Sequence, residues 1–435
     1  MSADPLVVAR PRNRRQLISE AAGSVFSERG YHAASMEEIA ARVGISAAAL
    51  YRHFPNKYAL FAECANTTVD RLVGALDGVP PEADLPGVLR AVTHVAVTHR
   101  TSGGLYRWEA RYLDREDRGL LRAKFARVVG RVTESVRREH PSASAQLCAV
   151  AALGVIGSIT MHHVSISQRR AESELLAAAL RVAATDPAAG ADAAGAVDTV
   201  DAVDAVRAPA RPAPRTRRAE ILAAAVPLFA RDGFAKVTNG QIAEAVGLVP
   251  SAIYRHYPTK VDILAAACLQ AAELLSEAVA RSLEGTDDPH DALVALAATY
   301  VAYSFEHTEL TGVAEAEVVG LPDGARQPLI RAQRDHIALW EQQLLRMRPE
   351  LDPRQARLLV HAGFGVVVEA GRSLRWQDTP ENRGRVVALV AAALGVRWPA
   401  TVPGAPDINA AERAPARDAH RAGGLSSPAG WRREG

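Results

Sequence analysis

The 435 residues are too many for one ordinary hydrophobic core and imply two to four domains. At 48% hydrophobic, 23% charged and 5% aromatic with a net charge of +2, the chain reads as soluble and mostly helical; no apolar run reaches the length of a membrane span and Met1 to Arg12 lacks the apolar core of a signal peptide, so the cytoplasm is the default location. Cys64, Cys148 and Cys268 are odd in number and far apart, which excludes a disulfide scaffold and marks them as reduced packing residues.

In chain order, an arginine cluster of Arg10, Arg12, Arg14 and Arg15 precedes a first helix that runs to about Arg29 and stops at Gly30. Ser35 and Glu38 have the Ser-x-x-Glu spacing of a capping box, Ile39 and Val43 lie one helical turn apart, and Gly44 ends that second helix at a tight turn. A short third helix then begins at Ser46. Leu50 and Phe54, four residues apart, point inward and leave Ala47, Ala48, Tyr51 and Arg52 outside. Residues 35–54 are thus a helix-turn-helix whose second helix has small residues at the end that meets base edges in a major groove. After Pro55-Asn56-Lys57 a longer helix carries Leu60, Phe61, Val69 and Leu72 toward Leu76.

Helical periodicity continues through Val88 to Thr98, Tyr106 to Leu113, Arg118 to Glu139, Ala143 to Val164 and Glu172 to Ala183, with no strand alternation. Thr185 to Pro214, rich in Ala, Asp, Val, Pro and Arg, reads as a flexible tether. Beyond it the chain repeats. Adding 203 carries Phe26, Gly30, Ile39, Ala40, Val43, Gly44, Ala49, Tyr51, Arg52, His53, Pro55 and Lys57 onto identical residues, 12 identities in the 35 positions from Phe26 to Leu60. A period this long means a duplicated domain and not a solenoid. The second copy opens with Arg211, Arg215, Arg217 and Arg218 and contains Pro227, which should kink its first helix or remove one backbone bond. Its body helices are Asp291 to Glu306, Leu310 to Val319, Ala325 to Met347, Pro353 to Arg372 and Asn382 to Leu394, and Trp398 to Gly435 reads as a disordered tail.

Charge follows the repeat. Arg10 to Lys57 holds 8 basic against 4 acidic residues and Arg207 to Lys260 holds 9 against 3, while the rest of the chain is net acidic. Such polarisation is the footprint of phosphate binding, although a solvated arginine-rich surface would give the same counts.

Each head resembles the N-terminal domain of the TetR/AcrR family of transcriptional regulators. The resemblance rests on Ala22 to Gly30, Ile39-Ala40 to Gly44 and Tyr51-Arg52-His53-Phe54-Pro55-Asn56-Lys57, and again on Ala225 to Gly233, Ile242-Ala243 to Gly247 and Tyr254-Arg255-His256-Tyr257-Pro258-Thr259-Lys260. It covers roughly 60 residues per copy. It implies an all-α fold of two tandem units: head 12–72 (motif 35–54), body 73–184, linker 185–214, head 215–275 (motif 238–257), body 276–397 and tail 398–435. It also implies heads that bind double-stranded operator DNA, bodies that bind a small effector and dimerise, and effector binding that weakens operator binding.

Carried over by position, Ser35 and Thr238 cap the second helices and donate to phosphate, while Tyr51 and Tyr254 offer hydroxyls to the DNA backbone. Lys57 and Lys260 place an ammonium beside a helix N-terminus on a phosphate. His53 and His256 lie inward with Leu50 and Ile253, for packing or for bridging to phosphate. Arg12, Arg14, Arg15, Arg215, Arg217 and Arg218 form the basic arms, with Arg52 and Arg255 beside the tyrosines. The reading tips differ, Ser46, Ala47 and Ala48 against Val249, Pro250 and Ser251, and neither carries an Arg, Asn or Gln for a bidentate base contact. Specificity is expected to rest on thymine methyls, DNA shape and the arginine arms, at an operator with unlike half-sites.

Tyr106, Trp108, Tyr112, Tyr303 and Trp340 are candidate pocket residues, at a spacing equally suited to core. No cofactor or metal is indicated: His94 with His99 and the His162-His163 pair lack a cysteine or carboxylate at ligand spacing, which argues against an enzyme. A helical scaffold with decayed heads is the other alternative, against which both heads retain Tyr and Lys. The last two helices of each body are expected to form one four-helix bundle, an intramolecular pseudo-dimer, with a homodimer of tandem chains as the competing assembly.

Overall fold

The computed structural model describes residues 14–101, 112–188 and 214–397, and all regular structure among them is helical. Arg12, Tyr106 and Trp108, and nearly all of the linker and tail, lie outside the described residues. Head 1 comprises α1 (Arg14–Ala33), α2 (Met36–Val43), α3 (Ala47–Tyr51) and α4 (Lys57–Asp77). Gly30, at φ 75°, interrupts α1 as expected of a glycine stop. Ser35 caps α2 by accepting from the Glu38 N–H at 3.0 Å, but the Glu38 carboxylate turns to Arg29 at 3.2 Å and leaves the predicted capping box half made.

Body 1 follows as α5 (Leu85–Thr98), α6 (Arg115–Glu139), α7 (Ala145–Gly157) and α8 (Gln168–Ala184). The helix expected over Ala143 to Val164 is shorter: it passes into a single 3-10 turn, Ser158–Thr160, and residues 161–167 are not helical. Val164 and Ile166 in that segment turn inward, which a continued helix would not permit.

Head 2 repeats the first as α9 (Arg217–Asp232), α10 (Asn239–Ala245), α11 (Pro250–Ile253) and α12 (Lys260–Ser282). Here both capping boxes are complete, Thr238 with Gln241 and Thr259 with Asp262. Gly44 and Gly247 occupy the same left-handed turn, at φ 69° and 65°. Pro227 does not end α9; its ring lies at the surface, and the missing N–H removes one hydrogen bond only. Helix α12 is long and apolar enough to cross a membrane by length and composition, yet its Ile263, Leu264, Ala267 and Leu274 belong to the core of head 2.

Body 2 comprises α13 (Pro289–Glu306), α14 (Thr308–Glu317) with a 3-10 turn Val318–Gly320 behind it, α15 (Asp323–Met347), α16 (Pro353–Ser373) and α17 (Pro380–Leu394). Helices α7, α8, α16 and α17 pack as one bundle, two from each half. Helix α7 is apolar nearly all round, AQLCAVAALGVIG, and therefore buried nearly all round. Its glycine and alanine surface lets α16 approach backbone to backbone. At the edges of this seam Arg181 donates to the carbonyls of Ala392 and Ala393 at 3.0 and 3.1 Å, capping the C-terminus of α17, and Arg170 pairs with Asp352 at 2.7 Å. A single apolar core consequently runs from Leu72 in the first half to Val396 in the second.

Each head keeps its own core and leans on a body. Leu113 and Leu121 complete the core of head 1, and Tyr303, Leu310 and Val313 that of head 2. Helix α14 lies on α9, and the turn Val318–Gly320 lies on α1 of the other head.

Candidate nucleic-acid interface

In each head the third helix is short, held from beneath and open above. Leu50 and Phe54 are fully buried under α3, as are Ile253 and Tyr257 under α11. Ser46, Ala48, Tyr51 and Arg52 are exposed, Ala47 and His53 half-buried; Pro250, Ser251, Tyr254 and Arg255 are exposed, and His256 is half-buried. Tyr51 and Tyr254, at 47% and 55% exposure, are among the most exposed large apolar residues. The expected outer face is therefore assembled. Its two ends differ: Ser46 caps α3 through the Ala49 N–H at 3.2 Å, whereas Val249, 63% exposed, begins α11 with no side-chain cap.

Four cations expected to meet phosphate make internal contacts within the heads. Arg15 donates to the His53 carbonyl at 2.8 Å and to the Glu63 carboxylate, with its guanidinium 4.3 Å from the Phe54 ring centroid. Arg218 makes the same strut in head 2, donating to the His256 carbonyl over the Tyr257 ring at 3.9 Å. Each ties the start of a first helix to the end of a third, where the last carbonyls favour a cation. Lys57 donates to the carbonyls of His32 and Ala34 at 3.2 and 3.0 Å, and Lys260 to those of Phe234 and Val237, both at 2.7 Å. Both ammonium groups sit over a ring, Tyr31 or Phe234, and burial lowers the pKa of each. The lysine of the motif thus closes the loop between first and second helices, a role that spacing alone could not separate from phosphate binding.

Much of the remaining basic excess is spent within the heads. Arg29 pairs with Glu38, Arg42 with Glu28 and Arg217 with Glu220. Arg14, Arg52, Arg215 and Arg255 keep unpaired side chains among the described residues. Lys236 is exposed as well, two residues before the Thr238 cap, a position whose counterpart is Ala33. It was not among the residues expected from the motif, although a lysine just ahead of a helix cap was there to be read. Ser35 and Thr238 cap as expected; the Thr238 hydroxyl also donates to Gln241 at 3.1 Å.

The family model for bacterial regulatory proteins of the tetR family matches twice, at residues 18–64 and 221–267. Both heads belong to the TetR family. The two matches carry the 203-residue offset of the repeat, and each spans the first helix through the start of the fourth. Over 67 residues, 15% of this chain and 30% of the relative, the chain is 46% identical to the HTH-type transcriptional activator FasR of Mycolicibacterium smegmatis. Over 69 residues, 16% of this chain and 35% of the relative, it is 38% identical to the nucleoid occlusion factor SlmA of Photorhabdus laumondii. The likeness thus spans about a third of the length of these curated relatives. A TetR-family transcriptional regulator from Bordetella parapertussis superposes with a TM-score of 0.38 at 22% identity, covering 41% of this chain and 95% of that one.

Behind the heads, Tyr112, Tyr303 and Trp340, the expected pocket residues that lie among the described residues, make contacts of their own. Tyr112 stacks on Tyr31 at 5.3 Å and edge-on to His32, joining body 1 to head 1. Tyr303 is buried and donates to the Ala271 carbonyl at 2.8 Å, and Trp340 is fully buried with its indole N–H on His336 at 3.2 Å. One groove of about 370 Å³ lies instead between the end of α4 and α6, lined by Val73, Leu76, Val79, Arg127 and Val128. His94 does acquire a carboxylate, Glu172 at 3.0 Å, as a surface pair. His162 stacks on His361 across the seam at 4.2 Å.

Proposed function

We propose that the chain is a ligand-responsive repressor of transcription that reads DNA with two unlike heads arranged as an intramolecular pseudo-dimer. The observation that carries this reading is the bundle of α7, α8, α16 and α17, which joins two TetR heads through one continuous core. In a two-fold dimer such a bundle comes from two chains; here it comes from the two halves of one. A monomer then carries both heads. The unlike tips, a capped Ser46 and an exposed uncapped Val249, favour an operator whose half-sites differ.

Contact with DNA rests on Tyr51, Arg52, Tyr254, Arg255, Arg14, Arg215 and Lys236, with Ala47, Ala48, Pro250 and Ser251 near base edges. A small, largely apolar effector bound in a body shifts the population toward a spacing of heads that does not fit DNA, and must prefer that state by a few kcal/mol to release an operator. Light scattering of the free protein at micromolar concentration, followed by footprinting on its bound DNA, tests the reading. A mass near 46.3 kDa with protection of two unlike half-sites is expected. Twice that mass, persisting on dilution, sinks the pseudo-dimer in favour of a homodimer with four heads.

A further inference from the structure

The groove of about 370 Å³ between the end of α4 and α6 has a divided lining. Its floor is apolar: Val73 and Leu76 from α4, Val79 from the turn that follows, and the fully buried Val128 from α6. Val73 and Val79 are only half-buried, so the floor still has apolar surface to cover. Its rim is charged, with Arg127 and Arg131 one turn apart on α6 and Asp77 at the last residue of α4. A volume of this size lies at the lower end of the range, about 300–1,000 Å³, in which pockets hold small ligands.

The two guanidinium groups are held differently. Arg131 donates to the carbonyls of Pro80 and Pro81, the latter at 2.8 Å, and is thereby fixed at the rim. Arg127 meets Asp77 at 3.2 Å in a pair whose side chains are both more than half exposed. Such pairs contribute little to stability, so an incoming carboxylate can take the place of Asp77 at small cost. Two arginines against one aspartate leave the rim with one positive charge in excess, which a monoanion neutralises and a cation would not. A carboxylate also matches the planar fork of a guanidinium.

The second half does not repeat this arrangement. Helices α6 and α15 are both 25 residues long, and superposing their ends brings the buried Val132 and Val136 onto the buried Trp340 and Leu344. That register puts Asp335 and Leu339 where Arg127 and Arg131 stand, and the 203-residue offset of the heads puts Ala280 in place of Asp77. The charged rim is confined to body 1.

The groove is joined to head 1 by its own walls. Three ties cross between α4 and α6: the Tyr58 hydroxyl with Asp117 at 2.5 Å, Lys124 with Asp70 at 2.7 Å, and Arg127 with Asp77 farthest from the head. Leu121, early in α6, belongs to the core of head 1. A ligand that opens the last tie therefore acts on two helices that both end in that head.

We propose that this groove takes a small monocarboxylate with an apolar body, which draws Arg127 away from Asp77 and acts through α4 and α6 on head 1 and not on head 2. This rests on the ligand-responsive reading above and adds the ligand's charge, its seat and its one-sided action.

The test is calorimetric titration of the full chain at neutral pH with hydrocinnamate and with hydrocinnamamide, its neutral counterpart. Hydrogen exchange of α1 and α9 is followed in parallel. Hydrocinnamate is expected to bind at least tenfold more tightly than the amide. Arg127→Gln, at an exposed position, should remove most of that difference, whereas Asp77→Asn, which frees Arg127 beforehand, should tighten hydrocinnamate severalfold. Exchange should change in α1 and stay as it was in α9. Equal affinity for the amide, no binding of hydrocinnamate at millimolar concentration, or full affinity in Arg127→Gln overturns the site. Weaker binding to Asp77→Asn overturns the exchange of partners, and equal changes in α1 and α9 overturn the one-sided action. A neutral compound that releases DNA from wild type and Arg127→Gln equally would leave the ligand-responsive reading standing and defeat this one.

Discussion

Gly154 and Gly365 meet backbone to backbone at the crossing of α7 and α16, where a β-carbon on Gly154 would come within 2.6 Å of the Gly365 carbonyl oxygen and one on Gly365 would come closer still to that of Gly154. Neither neighbour is a flexible side chain that can yield. Gly365→Val is therefore expected to lower stability by about 1–3 kcal/mol or more through overpacking and to part the halves while each head keeps its fold. Urea unfolding gives the first effect. Footprinting gives the second, as loss of simultaneous protection of both half-sites; an unchanged footprint would mean that the bundle does not set the spacing of the heads.

Lys57 and Arg52 lie five residues apart and should fail differently. Lys57→Ala or Lys260→Ala loosens a head by about 1–2 kcal/mol, since two backbone carbonyls lose a charged donor, and should leave the salt dependence of DNA binding unchanged. Arg52→Ala, Arg255→Ala or Lys236→Ala should leave stability alone and reduce the slope of log affinity against log salt by about 0.9 each. Affinity measured at several salt concentrations separates the two groups. A lysine variant that lowers the slope as an arginine variant does would return that lysine to the DNA.

The two recognition helices should respond in opposite senses to changes at their first residue. Ser46→Ala removes a cap and should cost head 1 about 0.5–2 kcal/mol. Val249→Ser supplies the cap that α11 lacks and should stabilise head 2 by up to about 1 kcal/mol while altering base preference at the half-site it reads. Thermal unfolding together with selection from a random DNA library checks both. Stabilisation without any change in selected sequence would remove Val249 from the reading surface.

Acid should weaken the seam. Burial lowers the pKa of His162 well below its ordinary value and that of His361 to about 4, with His163 and Arg100 adding like charge beside the first and Arg357 beside the second. A histidine depressed in the folded state favours folding fully above its unfolded pKa, and the unfolded chain takes up the proton first as pH falls. For His361 the loss accordingly runs from about pH 6.5 down to about pH 4, at no more than about 1.4 kcal/mol per pH unit, and His162 acts in the same direction. Denaturation midpoints measured from pH 7.5 to 5 should show the slope, and His361→Phe should flatten it. An unaltered slope in that variant would assign the acid sensitivity elsewhere.

The fold was legible where local rules coincide. Ser35, Gly44, Thr238 and Gly247 mark helix ends by side-chain caps or by positive φ, and these are properties of single residues. Helices α6, α15, α16 and α17 differ from their expected bounds by a few residues at the ends. The site was harder to read because a cation in a basic head has two uses that look alike in sequence. Arg15 lies across Phe54 and Lys57 reaches the loop after α1, contacts that are known only once the helices have packed. Tyr303 and Trp340 were ambiguous for a similar reason: an aromatic at helical spacing serves a core or a pocket depending on what faces it.

The one-sided contacts of Arg170 and Arg181, both reaching from the first half onto the second, have a bearing on inheritance. In a symmetric pair of identical chains every substitution at the contact appears twice and must suit its own copy. Along this seam each residue is inherited once and faces a different neighbour, so a change in one half can be answered by a separate change in the other. The two DNA-reading surfaces are then free to drift toward different sequences, one mutation at a time, without unsettling the join that holds them in register.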